Sequence, residues 1–175
     1  TASFGGSDTL ALQIEQGAPA DLFLSAAPIY AQRLRDRGLC GPPVVFATNT
    51  LALVTPASNP AGIERVEQLD RPGGYRLAVG GRNVPLGIHT RTLLGKLGQP
   101  RTLLRNTVSL YQKASDVVTA VALGSADAGF VYLTDWYANP KTLRRIPLPQ
   151  RAQPMIRYVA CAVTRAGADA RGARA

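Results

Sequence analysis

Hydrophobic positions come in short runs that alternate with amphipathic stretches. Thr9 to Gln16 carries Leu10, Leu12 and Ile14 at roughly helical spacing and stops at Gly17. Ala20–Ser25 is a short apolar run that predicts a buried strand. Ile29 to Leu39 predicts a helix closed by Gly38 and broken by Pro42-Pro43. Further strands are predicted at Leu51–Thr55, Arg76–Gly80, Ala128–Tyr132, Arg144–Pro147 and Arg157–Val163, and a strand end at residues 2–4. Further helices are predicted at Leu86–Leu97 and Ser115–Leu123, the latter with Val117, Val118, Val121 and Ala122 inward. Val66–Leu69 reads as one helical turn before a turn at 71–74, and 165–175 as a frayed tail. Short strands alternating with helices predict an α/β fold with mainly parallel pairing.

Composition narrows the function classes. In 175 residues, 46% are hydrophobic and 18% charged, so disorder fails as a description of the whole chain. No apolar run is long enough to span a membrane. The two cysteines, Cys40 and Cys161, lie far apart, and His89 is the only histidine. That excludes zinc ribbons and offers no metal-ligand cluster and no nucleophile–base pair, so no enzyme is expected. Spacing leaves open whether the cysteines are free or bridged. Twenty basic against eleven acidic residues give +9, which raises nucleic acid as a partner. Only Arg33, Arg35 and Arg37, and the pair Arg144-Arg145, are clustered. No nucleic-acid motif accompanies them, so no nucleic-acid partner is expected.

Three segments place helix starts after strands, where unpaired N–H groups and the positive dipole end favour anions. They are Gly5-Gly6-Ser7-Asp8, Asn83-Val84-Pro85-Leu86-Gly87 and Lys113-Ala114-Ser115. Each also has a plain reading as a helix cap, with Ser7 or Asp8 as the capping side chain of the first. Tyr132 ends a strand, and its phenol is either a neutral donor or the wet tip of a core tyrosine.

Ser7 to Ala26, with its Gln13-Ile-Glu-Gln-Gly-Ala-Pro-Ala-Asp21 core, resembles the molybdate-binding protein of bacterial ABC transporters. So do Leu77–Gly80, Val84-Pro-Leu-Gly87 and Ala126–Asp135. The resemblance implies a type II periplasmic-binding-protein fold, two α/β lobes joined by a hinge. Lobe one would comprise residues 1–50 with 158–175 returning to it, and lobe two residues 51–157. It implies molybdate or tungstate as ligand, no cofactor, an ABC transporter permease as partner, and a periplasmic or extracytoplasmic place, free or lipid-anchored. Ser7, Leu86, Ala114 and Tyr132 would bind the ligand, with Gly6, Val84 and Ser115 secondary, and no protein atom would ligate the metal directly. Sulfate or phosphate is the alternative ligand on the same fold. Against the family pattern the chain reads as truncated at both ends, with lobe one incomplete and its signal segment elsewhere. Asp8 replaces a small neutral residue, and its charge is tolerable beside a dianion only if it points away and caps the helix.

Overall fold

The computed structural model describes residues 1–71 and 74–164; part of the turn at 71–74 and the tail at 165–175 lie outside them. The chain divides into two compact units, residues 1–48 with 156–175, and residues 49–155.

The first unit is a three-stranded sheet under two helices. Helix α1 (Ser7–Glu15) leads to β1 (Leu22–Ser25), then α2 (Pro28–Asp36) and β2 (Val44–Asn49), and the chain returns as β8 (Ile156–Ala162). The strand order is β1-β8-β2. β1 and β8 are antiparallel, with Phe23 opposite Cys161. Ala11, Ile14, Phe23, Ala31, Leu34 and Val159 form the core on one face. The other face is open: Leu22, Leu24 and Phe46 are all exposed. The expectation that 20–25 is a wholly buried strand is therefore corrected. Side chains alternate across a strand, and only the Phe23 and Ser25 side is covered by helices. Residues 2–4 form no strand either, since Thr1 to Gly6 is irregular. Cys40 and Cys161 are joined in a disulfide, their Cα atoms 5.9 Å apart, in the range such a bridge needs.

The second unit holds β3 (Leu51–Pro56), β4 (Arg76–Gly80), α3 (Pro85–Lys96), α4 (Thr102–Arg105), β5 (Thr107–Tyr111), α5 (Ala114–Ala122), β6 (Ala128–Tyr132), α6 (Leu133–Ala138) and β7 (Leu143–Ile146). Its five-stranded sheet has the order β5-β4-β6-β3-β7. β4 runs parallel to both β5 and β6, whereas β3 is antiparallel to β6 and β7. Pairing is thus mixed rather than mainly parallel. β4, β5 and β6 are each followed by a helix and then by a strand of the same direction, so in this sheet β3 alone is reversed. Leu53, Leu77, Phe130 and Ile146 are almost completely buried, and each such side chain contributes roughly 1.5–3 kcal/mol. α5 buries Val117, Ala120 and Val121, with Val118 and Ala122 only partly covered. It lies so close to β6 that a methyl at Gly129 would stand 2.8 Å from Val121 and 2.9 Å from Val117.

The two passages into this unit are fastened to each other. Gln153 accepts from the Leu51 N–H and donates to the Leu51 carbonyl, both at 2.9 Å.

Candidate oxyanion-binding groups

In the first unit, Gly6 is the N-cap of α1 and Ser7 its first helical residue, with no side-chain cap. This corrects the cap reading: neither Ser7 nor Asp8 closes the helix. The Ser7 hydroxyl accepts from the Ala26 N–H at 3.0 Å. Ser25, beside it, folds the turn after β1 by donating to the Ala27 carbonyl at 2.7 Å. A hydroxyl that accepts through a lone pair keeps its proton to give elsewhere. Ser7 therefore offers an O–H and a first-turn N–H from a buried, fixed position. Asp8 is exposed, accepts only a long contact from Thr9 at 3.5 Å, and raises the Tyr30 phenol behind burial, the larger cause.

In the second unit the donors gather at one edge of the sheet. β4, β5 and β6 are neighbours pointing the same way, so their carboxyl ends lie together. Gly80 stands opposite Tyr111, and the Gly81 N–H donates to the Tyr111 carbonyl at 2.8 Å. The β4–β6 register, Ala78 opposite Gly129, brings Tyr132 level with Gly81. From this edge α3 and α5 start, and there β6 ends in Tyr132. Leu86 and Ala114 are first-turn residues of these helices, whose N–H groups find no acceptor within the helix. Val84 caps α3 and gives its carbonyl to the Ile88 N–H, and Pro85 fits the first helical position. The Ser115 side chain is exposed, with its hydroxyl at 3.4 Å from the Asp116 carboxylate. Gly6, Val84 and Ser115 therefore shape helix starts.

The α3 start is held tightly. A methyl on Gly87 would run into the carbonyls of Gly80 and Gly81. Arg91, one turn on, donates to the Gly87 carbonyl at 2.9 Å. Burial and then the nearby Arg82 lower the Arg91 guanidinium from its ordinary value. Tyr132 is fixed through its backbone, where its N–H donates to the Asp135 carboxylate at 2.9 Å. Burial raises that carboxyl, and the Tyr132 N–H works against the rise.

His89 was expected to be an ordinary, partly exposed helix residue. It is a partly exposed residue of α3, and its ring stands edge-on to Tyr132, centroids 6.4 Å apart and planes at 68°. Its Nε2 is buried without a hydrogen-bond partner among the described residues, and burial pushes the imidazole below its usual range. Helical spacing from Leu86 and Gly87 was the available signal for His89 and Arg91, since residues three and four apart share a face.

Several basic residues are committed elsewhere. Arg33 and Arg37 both grip Glu15, at 2.8 and 3.0 Å. Arg144 pairs with Glu64, and Arg145 lies over the Trp136 ring. Among the described residues no group of three or more His, Cys, Asp or Glu is placed to hold a metal ion. No described helix is long and apolar enough to cross a membrane.

The sequence profile of a family described as bacterial extracellular solute-binding protein matches residues 1–175. The chain belongs to this family. The molybdate-binding protein ModA of Mycobacterium tuberculosis is 36% identical over 151 residues, which is 86% of this chain and 56% of that protein. The chain thus spans little more than half of that relative's length. The fold is also that of the periplasmic molybdate-binding protein of Azotobacter vinelandii, with a TM-score of 0.75 at 23% identity, covering 92% of this chain and 72% of that one. The sulfate-binding protein SubI of Mycobacterium tuberculosis shares it too, with a TM-score of 0.72 at 20% identity, covering 94% and 64%. The solute-binding family is therefore of the type II periplasmic-binding-protein fold expected above.

Proposed function

We propose that this solute-binding chain captures molybdate or tungstate for an ABC importer, and that it is not an enzyme. The observation that carries the reading is the shared carboxyl edge of β4, β5 and β6, which presents the Leu86 and Ala114 amides and ends in Tyr132. In the first unit, Ser7 has donors of the same kind to offer, a hydroxyl and a first-turn N–H. A tetrahedral dianion has acceptor oxygens and nothing to donate, so fixed N–H and O–H groups suit it. Helix ends supply partial positive charge without a buried cation. The likeness to ModA supports molybdate in particular. Export to an extracytoplasmic compartment fits the family and the Cys40–Cys161 bridge, because disulfides persist where the surroundings are oxidising. A permease that receives the loaded protein is the implied partner.

Calorimetry with molybdate, tungstate, sulfate and phosphate tests this. Molybdate and tungstate are expected to bind, with sulfate and phosphate at least about tenfold weaker, or about 1.4 kcal/mol. Equal affinity for sulfate would assign the site to small oxyanions in general, and no binding of any of the four would end the reading.

A further inference from the structure

The five-stranded sheet ends in two edge strands of different character. β7 carries Arg144 and Arg145, the kind of charge that keeps an edge from pairing with another chain. β5, Thr107-Val-Ser-Leu-Tyr111, carries neither a charge nor a proline. The Tyr111 carbonyl accepts from the Gly81 N–H, so Tyr111 turns its backbone polar groups toward β4. Successive residues of a strand alternate, so the N–H and C=O groups of Val108 and Leu110 face away from the sheet. The same two residues line a groove of about 420 Å³ with Leu94 of α3 and Leu104 of α4. Leu104 and Leu110 are 77% and 53% exposed, so the groove is open to a partner rather than sealed. Arg82 and Arg91 stand at one end of it. Arg82 follows Gly80 and Gly81, and Gly80 is opposite Tyr111, while Arg91 is tied to the Gly87 carbonyl at the start of α3. Neither arginine pairs with a carboxylate among the described residues. An apolar trough that ends in two unpaired cations is complementary to a ligand that is apolar along its length and anionic at that end.

We propose that β5 is a docking edge for an extended segment of another protein, which adds as a further strand, sets two apolar side chains into the groove beside Val108 and Leu110, and places a carboxylate at Arg82 and Arg91. Alternate positions of a strand share a face, so apolar residues at i and i+2 and an acid at i+4 span about 13 Å. With the apolar pair level with Val108 and Leu110, the acid falls just past Tyr111, on the side where Arg82 follows β4. Main-chain bonds to Val108 and Leu110 would hold the segment, and the groove and the arginines would select its sequence. A small apolar acid could use the groove and the cations, but it would leave the outward N–H and C=O groups of β5 unused.

The test is NMR titration of the ¹⁵N-labelled chain with the peptide acetyl-Asp-Thr-Leu-Thr-Leu-Thr-Asp-amide, which reads the same in both directions and so fits β5 running either way. Shifts are expected to gather at the amides of Arg82, Arg91, Leu104, Val108 and Leu110. Exchange of the Val108 and Leu110 N–H groups with solvent should slow about tenfold when nine-tenths of the protein is occupied. The same peptide methylated on its five central nitrogens cannot pair with a strand edge and should bind at least about tenfold more weakly. R82E should weaken the parent peptide about threefold to tenfold, and should make no difference to a peptide with Asn in place of both Asp. Undisturbed β5 and α3 signals at millimolar peptide would overturn the proposal. So would equal binding of the methylated peptide, which would leave the edge without a part, or an R82E loss of the same size with the Asn peptide, which would leave the carboxylate without one.

Discussion

The Cys40–Cys161 bridge joins residues 121 apart, but the loop it closes depends on what unfolds. If the whole chain unfolds, the bridge removes the closure entropy of the full span, about 5 kcal/mol. If only the first unit unfolds, the second remains as a clamp, because Gln153 and Leu51 are bonded to each other within it. The flexible path then runs from Cys40 to Leu51 and from Gln153 to Cys161, a loop of about twenty residues worth about 3 kcal/mol. The perturbation is reduction by a thiol, or the double variant Cys40→Ser/Cys161→Ser. The assay is urea unfolding followed by two probes. Trp136, the only tryptophan, lies in the second unit, and far-UV circular dichroism sees both. With roughly 1 kcal/mol per molar urea for so small a unit, breaking the bridge should move the dichroism transition of the first unit down by about 3 M. The Trp136 transition should stay in place. An unmoved first-unit transition would refute the entropic accounting, and equal displacement of both probes would refute the clamp.

Ser7→Ala removes the acceptor of the Ala26 N–H, and should cost about 1–2 kcal/mol in the unliganded protein, read as a lower melting temperature before any ligand is added. Gly87→Ala drives a methyl into the Gly80 and Gly81 carbonyls and should destabilise by about 1–3 kcal/mol while shifting the Leu86 amide signal, checked by chemical denaturation and by NMR. His89 should titrate below the usual imidazole range, because burial disfavours its charged form. Unfolded chains then take up the proton first as pH falls, so stability is full above the ordinary histidine pKa and declines below it. Proton NMR of the single imidazole, with melting temperatures across the same pH range, checks both statements.

The elements that reasoning from sequence found are those whose signal is local. The α1 stop at Gly17, the α3 start at Pro85 and the β6 run Ala128–Tyr132 depend on backbone propensity and neighbouring apolar residues, and all are present. β5 and β2 were missed, because the alternation in Thr107–Tyr111 spans only five residues and Val44–Asn49 carries none. β5 lies at a sheet edge, and none of Val44 to Thr48 is covered. Antiparallel pairing of β3 with β6 was equally invisible, since all six β3 residues are buried and direction leaves no trace in a fully apolar strand.

The candidate site divides along the same line. Helix starts after strands could be read because glycine, proline and small polar residues are needed to build them, and parallel β4, β5 and β6 put two of them at one edge. Side chains that act through space could not be read in this way. Ser7 answers to Ala26, nineteen positions away, and His89 meets Tyr132 across the gap between a helix and a strand. The basic excess, set aside from sequence for want of a motif, is accounted for in part by such contacts through space. Arg33 and Arg37 look like a cationic stripe when α2 is taken alone, yet both close on Glu15 of α1. Net charge registers only how many cations there are. An oxyanion is selected by rigid, uncharged donors, so the pocket proposed here draws on none of the residues that make this chain basic.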